Sequence, residues 1–354
     1  MKTIRGEYSK IYDYNNLSAA HRKSRLGKGG RLDVLLFETE LNCNLYELQR
    51  ELIDKTYKIS GYRSFKIYEP KEREIMSLSY RDRIVQHSLC DNVLEPFLDK
   101  RLDIDNASCR RGKGTLYALD RLKMHMKKAY NLWGCGYYAL KCDIRRYFYN
   151  IDHDILKKKL YKYISDKDLK WLLDVVIDST EGKGVPIGNM TSQWFAVFYL
   201  DALDRFIRGE LKIKLYTWYM DDFVLLHNDK DYLKQCLSKI REFLDKELRL
   251  ELNEKTQILP IKNGVDYVGF HSYLTETGKV VRKLRRRSKA TMKRKIKKFN
   301  QAYASGDMDY ESVERSIMSW IGHAAHGDTY RLRNSVMQKL RLQRSVSRQS
   351  VEHY

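Results

Sequence analysis

Three acidic residues of the chain have the spacing and surroundings of a metal-dependent reaction centre. Asp221 and Asp222 are adjacent in LYTWYMDDFVLLH, between β-rich, aromatic flanks, and Asp143 ends the apolar run YYALKCD. Transfer of a nucleotide to a 3′ hydroxyl uses two divalent cations about 3.5–4 Å apart, and Mg²⁺ prefers rigidly held carboxylate ligands. If neighbouring strands bring the three carboxylates together, they could bind two Mg²⁺ ions, with Mn²⁺ as an alternative.

Each acidic signal also has an ordinary explanation. An Asp-Asp pair between strands is more often a solvated turn, and a lone Asp such as Asp143 is commonly a helix cap or one half of an ion pair. What favours the metal site is the order of the parts: an acid at a strand end, two helices, and then the acidic pair between two strands.

The composition favours a nucleic-acid partner. The chain of 354 residues carries 67 Lys and Arg against 46 Asp and Glu, a formal net charge of +21. Such an excess is usually compensated by a polyanion, and no long basic amphipathic helix points to a membrane surface instead. The sequence has neither a signal peptide nor an apolar run long enough to span a membrane, which predicts a cytoplasmic protein. Its six cysteines form no C-x-x-C pair, and we interpret them as reduced thiols.

Periodicity predicts an α+β protein. We expect strands at 138–144, 214–219, 223–226 and 265–273, helices at 83–98, 153–164, 192–206 and 232–248, and a basic helical segment from about 283. Ser192 or Thr191 is the expected N-cap of the third helix.

Five segments together resemble reverse transcriptases. Tyr219-Met220-Asp221-Asp222 matches their YxDD box, and Asp143-Ile144-Arg145-Arg146-Tyr147-Phe148 followed by NIDH resembles the third conserved block of the bacterial branch. SYRDRIVQ (79–86), RRGKG (110–114) and VDYVGF (265–270) extend the likeness over roughly residues 75–345. The resemblance implies a right-hand polymerase, with fingers, a palm made of an antiparallel sheet with helices behind it, and a helical thumb. The predicted boundaries are 1–139 for an N-terminal extension and fingers, 140–282 for the palm (with interleaved fingers residues at about 155–185), and 283–354 for the thumb.

The resemblance also implies roles for individual residues. Asp143 and Asp221 would be the principal metal ligands, completed by Asp222, and Phe148 would lie under the sugar of the incoming nucleotide and exclude a 2′ hydroxyl. Packing in the core is the alternative for Phe148. Arg83 and Lys113 would face the triphosphate or the template, although contact with the phosphate backbone or a solvated face is an equal alternative. The residues expected along the primer and template are Tyr219, Met220, Gly269, Arg285, Arg286 and Arg287.

The fourth block suggests which branch of the family the chain resembles. Intron-encoded enzymes carry Gln-Gly and then Ser-Pro, whereas this chain reads Ile187-Gly188-Asn189-Met190-Thr191-Ser192-Gln193. This form resembles reverse transcriptases of diversity-generating retroelements, a prokaryotic and phage group. These make error-prone cDNA, mutated at adenines, from a template-repeat RNA, and the cDNA replaces a variable region of a target gene. Ile187 and Gly188 would contact the nucleotide, and Ile187 and Gln193 would affect fidelity. Alternatively, Ile187 only packs under the nucleotide and Gln193 is an early helix residue.

The basic C-terminal segment fits a nucleic-acid-binding thumb. Between Lys279 and Lys298 there are twelve Lys or Arg and no Asp or Glu, a pattern suited to the phosphate backbone of an RNA/DNA hybrid. A localisation signal or a solvated face is the alternative. The resemblance further implies dNTPs and template RNA as ligands, a small, basic, oligomeric accessory variability protein as a partner, and no membrane association.

Two other functions remain open at this point. One is another bacterial reverse transcriptase, derived from a group II intron, a retron or a defence system. The other is a catalytically silent relative that only binds RNA, which the intact Asp143, Asp221 and Asp222 disfavour.

Overall fold

The computed structural model of the chain describes residues 3–68 and 72–344. Four helices form its N-terminal part: α1 (Ser9–Tyr12), α2 (Tyr14–Ser24), α3 (Leu32–Thr39) and α4 (Leu41–Ile53). The side chain of Asp13 caps α2 by accepting a hydrogen bond of 3.0 Å from the amide of Asn16. Buried leucines of α2 and α4 pack these helices into the largest apolar core of the molecule.

A two-stranded hairpin follows, made of β1 (Tyr62–Ile67) and β2 (Arg73–Leu78), in which Tyr62 pairs with Leu78. No strand was expected before residue 138, so this hairpin was not predicted. Four consecutive residues of β1 are exposed, so the strand lacks the alternation of buried and exposed positions that would indicate it.

Three helices connect the hairpin to the central sheet: α5 (Tyr80–Leu89), α6 (Glu95–Leu98) and α7 (Thr115–Trp133). A π-helical turn, Cys90–Leu94, joins the first two. The helix predicted at 83–98 is therefore present, but it starts earlier and is interrupted by the π turn.

The central sheet contains four antiparallel strands in the order β4-β5-β3-β6. Its strands are β3 (Tyr138–Asp143), β4 (Tyr216–Tyr219), β5 (Asp222–His227) and β6 (Gln257–Pro260). Phe223, Val224, Leu225 and Leu226 of β5 are all buried because both faces of the sheet are covered.

Four helices accompany this sheet: α8 (His153–Tyr161), α9 (Lys167–Ile177), α10 (Met190–Gly209) and α11 (Lys230–Leu248). Helix α11 is amphipathic and buries Leu233, Cys236, Ile240, Leu244 and Leu248. The predicted N-cap of α10 was wrong. The residue before the helix is Asn189, whose side chain makes no cap hydrogen bond, while Thr191 donates to Gln86 over 3.0 Å and Ser192 is buried.

A second antiparallel sheet follows, with β7 (Val265–Tyr267), β8 (Phe270–Leu274) and β9 (Val280–Leu284) in that order. The strand structure predicted at 265–273 is confirmed as two paired strands, because the chain reverses at Val268 and Gly269, both of which have positive φ. Glycine adopts such a conformation without steric cost.

The basic C-terminal segment is helical, as expected, with α12 (Arg286–Ser305), α13 (Tyr310–Ala324) and α14 (Tyr330–Met337). These helices have a small core of their own, in which Met292 and Ile296 pack with Val313, Ile317 and Val336. The last ten residues of the predicted thumb, 345–354, lie outside the described residues. Within the described chain, no helix is both long and apolar enough to cross a membrane, and all six cysteines are free.

The predicted α+β architecture, an antiparallel sheet with helices, is confirmed, and we use the names palm, fingers and thumb for its parts. The boundaries at 139/140 and 282/283 stay predictions.

Candidate active site

Two neighbouring palm strands bring the three predicted acidic residues to one edge of the sheet. Asp143 is the last residue of β3, Asp222 is the first residue of β5, and the two are register partners in the antiparallel ladder. The amide of Ile144 donates a hydrogen bond of 3.1 Å to the carbonyl of Asp221, which continues the pairing into the turn. Direct partners on one face of such a ladder have Cβ atoms about 4.5–5.5 Å apart, so these carboxylates are within reach of a shared ligand.

The turn that carries the acidic pair has a strained backbone. Met220 has a φ of 55°, a left-handed conformation that costs a residue with a side chain about 1–2 kcal/mol. Ser108 stabilises it by accepting a hydrogen bond of 2.6 Å from the amide of Met220, and the indole of buried Trp218 donates to the carbonyl of Met220. Ser108 lies far from the turn in sequence, and no motif pointed to it.

A buried charge cluster supports the same strand from the loop before α7. The backbone of Trp218 donates to the carbonyl of Asp105 over 3.3 Å. The carboxylate of Asp105 bonds Arg208 at 2.8 Å, His125 at 2.9 Å and Arg121. Burial alone would raise the pKa of Asp105, but the hydrogen bonds from His125, Arg121 and Arg208 outweigh burial and hold this pKa well below its usual range.

Electrostatic crowding at the sheet edge favours a bound cation. Burial and the charge of Asp143 raise the pKa of Asp221, and burial also raises the pKa of Asp222 to about 6, against the opposing effect of Lys141. Carboxylates that share a site disfavour one another's charged form, and a metal ion relieves that cost.

Carboxylate oxygens are the ligands that Mg²⁺ prefers, and metal binding by the three acids stays a prediction. Lys141 forms an ion pair with Asp222, whose side chain is 25% exposed. Among the described residues, no group of three His, Cys, Asp or Glu side chains is gathered so that it could hold a metal ion. Asp143 and Asp221 therefore offer hard oxygen ligands, while in this structure Asp222 is engaged by a lysine.

The segment after β3 contacts the fourth block. Phe148 lies half-buried in the 3₁₀ turn Tyr147–Asn150, and its carbonyl accepts a hydrogen bond of 2.8 Å from the amide of Val185. The amide of Gly184 donates to the carbonyl of Ile151 over 2.8 Å. The backbone that leads to Ile187 and Gly188 is thus fixed against the turn that carries Phe148.

The fourth block also contacts the fingers hairpin. The amide of Met76 donates to the carbonyl of Ile187 over 3.1 Å. Gly188 has a φ of 121°, and a Cβ there would lie 3.2 Å from Cγ2 of Ile75, so a side chain at this position would be strained and crowded. Beside this contact is a cavity of 340 Å³ lined by Glu74, Met76, Tyr149, Ser179, Thr180, Glu181, Lys183, Gly184, Val185, Pro186 and Ile187.

Gln193 does not lie on that cavity. It is exposed in the first turn of α10, and its amide oxygen is 3.5 Å from the Sγ of Cys109. In this structure the side chain is an early helix residue, which was the alternative interpretation of this position, and an effect on fidelity stays a prediction.

Two basic residues predicted in the fingers bind backbone groups. Arg83 donates to the hydroxyl of Ser77 at 2.7 Å and to the carbonyl of Leu78 at 2.9 Å. Lys113 donates to the carbonyl of Ile104 at 3.1 Å. Their nucleotide-binding roles stay predictions. The structure adds Arg73, an exposed residue at the start of β2. Burial and Asp143 raise the pKa of Asp221, and the positive charge of Arg73 opposes that rise. Because the hairpin was not predicted, Arg73 was not among the expected site residues.

Two of the residues expected along the primer adjoin the acidic pair, since Tyr219 is the register partner of Asp222 and Met220 lies in the YMDD turn. Tyr219 is half-buried against a second apolar core, which is formed by buried residues of α7, the central sheet and the second sheet. Gly269 accepts a hydrogen bond of 3.3 Å from the amide of Arg285. The guanidinium of Arg285 forms an ion pair of 3.0 Å with Asp266, and exposed Arg286 and Arg287 begin α12. Gly269 thereby connects the turn after β7 to the start of the thumb.

Residues 69–272 match the sequence model of the family described as reverse transcriptase (RNA-dependent DNA polymerase), which is more than half of the chain. The chain belongs to the reverse transcriptase family. The enzyme class predicted from the sequence, RNA-directed DNA polymerase, is confirmed by this match.

Two curated proteins are similar to this reverse transcriptase. "Protein YkfC" of Escherichia coli is 23% identical over 280 residues, which is 66% of this chain and 72% of YkfC. The "Putative COX1/OXI3 intron 1 protein" of Saccharomyces cerevisiae is 27% identical over 203 residues, which is 54% of this chain and 22% of the yeast protein.

Solved structures with a similar fold include telomerases. The telomerase of Candida albicans, in complex with a fragment of telomeric RNA, has a TM-score of 0.49 and 13% identity, and the match covers 74% of this chain and 56% of that one. The apo telomerase of Candida tropicalis has a TM-score of 0.48 and 14% identity, with 66% and 52% covered. The reverse transcriptase thus spans less than two thirds of the yeast protein and of both telomerase chains.

Proposed function

We propose that this reverse transcriptase copies a template-repeat RNA into error-prone cDNA for a diversity-generating retroelement. The observation that carries the proposal is the side chain of Ile187. It lines a largely apolar cavity between the fingers hairpin and the palm, beside the turn that holds Phe148. At the equivalent position the intron-encoded enzymes that the sequence resembles carry a glutamine.

The proposed mechanism places the chemistry at Asp143 and Asp221. Bound there, two Mg²⁺ ions, or Mn²⁺, would activate the primer 3′ hydroxyl and stabilise the leaving pyrophosphate. The antiparallel pairing of β3 with β5 holds the two carboxylates rigidly, while Lys141 keeps Asp222 oriented beside them. Arg73, exposed at the start of β2, is proposed to bind the triphosphate of a dNTP.

The proposed source of errors is the missing side-chain amide at residue 187. An amide can hydrogen-bond the nucleotide or the adjacent backbone and so favour correct base-pair geometry, whereas Ile187 offers only apolar contact. Loss of such a contact lowers discrimination by about 1–3 kcal/mol. The same proposal includes a small, basic, oligomeric accessory variability protein and a prokaryotic or phage-encoded cytoplasmic enzyme, both of which rest on the resemblance of the fourth block.

We expect Ile187→Gln to reduce errors opposite template adenines by about tenfold, because the new amide restores a polar contact that a mispair would disturb. The measurement is deep sequencing of cDNA made by the purified enzyme from a defined RNA, with its genomic-neighbour proteins added. Ile187→Val keeps an apolar side chain and serves as the matched control, for which the wild-type error pattern is expected. Equal adenine errors in Ile187→Gln and wild type would contradict the assigned role of Ile187.

A second candidate is an enzyme of the group II intron type. The likeness to the yeast intron protein over 203 residues favours it, while Ile187 and Gln193 stand against it. Faithful cDNA from the wild-type enzyme in the same sequencing experiment would support this candidate and contradict the mutagenic retroelement.

A further inference from the structure

Three polar side chains connect the fingers hairpin to the fourth block. The phenolic oxygen of Tyr62, the first residue of β1, is 2.7 Å from the hydroxyl of Ser179 and accepts a hydrogen bond of 3.2 Å from the amide of Asn189. The single proton of the Ser179 hydroxyl is donated to the carbonyl of Val176, 2.7 Å away. Tyr62 therefore donates to Ser179, and the hydrogen bonds run in one direction from Asn189 through Tyr62 and Ser179 to Val176.

Burial of Asn189 and partial burial of Tyr62 make the loss of these hydrogen bonds costly. Asn189 is 4% exposed, and burial raises the pKa of Tyr62 above its ordinary value. A buried amide or hydroxyl that loses its partner is destabilising, because water cannot reach it to replace the hydrogen bond. Asn189 directly precedes α10, but its side chain makes no cap hydrogen bond there. The bond to Tyr62 is the side-chain bond that the structure gives it.

The second strand of the hairpin is attached to the same segment. Met76 of β2 donates its amide to the carbonyl of Ile187, and Gly188 lies against Ile75 and the Met76 carbonyl. Both strands are thus fastened at their base to residues 187–189. Beyond that base, the four middle residues of β1 are exposed. The base contacts therefore set the angle at which the hairpin presents Arg73, the first residue of β2.

We propose that Tyr62 and Asn189 are positioning residues for nucleotide selection, which latch the fingers hairpin to the segment that contacts the incoming dNTP. In this arrangement the hydrogen bonds of Tyr62 and Asn189 fix the distance between Arg73 and Ile187. The incoming nucleotide is held between these two residues. Loosening the latch weakens binding of the dNTP and the rejection of mismatches at all four template bases. The inference rests on the proposed placement of the nucleotide beside Ile187 and does not require errors directed to adenines.

The test is steady-state primer extension on an RNA template by Tyr62→Phe, Asn189→Ala and the double variant. Tyr62→Phe keeps the ring and removes both hydrogen bonds of the phenol. We expect each single variant to raise KM for dNTP about fivefold with kcat changed less than twofold. Because both changes break the same bond, the double variant should be no worse than the poorer single variant. Misincorporation should rise opposite every template base.

Tyr46→Phe is the control, because Tyr46 is 54% exposed on α4 and should leave KM unchanged. A purely structural role would lower the melting temperature of Tyr62→Phe without changing KM for dNTP. That result would overturn the inference, as would KM effects that multiply in the double variant. A change of error pattern in Ile187→Gln together with an unchanged KM in Tyr62→Phe would overturn the latch alone and leave the proposed function standing.

Discussion

Replacement of Asp221 by Asn is expected to reduce DNA synthesis on an RNA template by at least about a thousandfold. Asp221 is register-adjacent to Asp143 at the edge of the palm, and burial together with the charge of Asp143 raises the pKa of Asp221. An amide in its place keeps the shape of the side chain and removes the charge that we propose holds the metal. The measurement is single-turnover extension of a labelled primer with saturating dNTP and Mg²⁺.

Asp245→Asn is the matched control, because Asp245 is exposed on α11 and should retain wild-type synthesis. Binding of an RNA/DNA hybrid should survive in Asp221→Asn, which would separate loss of chemistry from loss of fold. Synthesis at the wild-type rate would show that the acidic pair of the YMDD turn does not hold the catalytic metal.

The second large effect is expected at Phe148. Truncation to Ala should raise incorporation of ribonucleotides relative to deoxyribonucleotides by about 10- to 100-fold, because we propose that this ring rejects a 2′ hydroxyl sterically. Phe148 is half-buried in the 3₁₀ turn that follows β3, and its carbonyl accepts a hydrogen bond from the segment that leads to Ile187. The measurement is the ratio of kcat/KM values for matched ribonucleotides and deoxyribonucleotides.

Phe148→Tyr keeps the bulk of the ring and should retain discrimination. If Phe148→Ala discriminates as well as the wild type, the ring is a packing residue, as the alternative interpretation of the sequence holds, and sugar selection lies elsewhere.

The acidic residues were predictable because strong local patterns place them. Asp143 follows an apolar strand, and the YMDD turn separates two strands whose central residues are buried. In an antiparallel pair, the end of one strand lies beside the start of its neighbour. The pairing of Asp143 with Asp222 therefore follows once β3 and β5 are recognised as neighbouring strands.

The residues that stabilise the YMDD strand were not predictable from the local sequence pattern. Ser108, Asp105 and Arg208 stabilise the YMDD strand through contacts between residues that are distant in sequence, and none of them belongs to a motif. Their roles depend on tertiary packing, which periodicity does not encode.

The fingers hairpin was missed for a different reason. Strands are recognised by alternation of apolar and polar residues when one face is buried, but β1 is exposed along most of its length. Because the hairpin was not predicted, the roles of Arg73 and Tyr62 and the contact of Met76 with Ile187 were not predicted either. The engagement of Asp222 by Lys141 was also unforeseen, since two residues separate in sequence become diagonal neighbours only in the paired sheet.

The most direct test of the account is the position of the metal. We would crystallise the enzyme with an RNA/DNA hybrid, an unreactive dNTP analogue and Mn²⁺, and locate the ions by their anomalous scattering. Our prediction is that the anomalous peaks of Mn²⁺ lie within about 2.3 Å of carboxylate oxygens of both Asp143 and Asp221. Ordered nucleotide with manganese bound away from these two residues would contradict it.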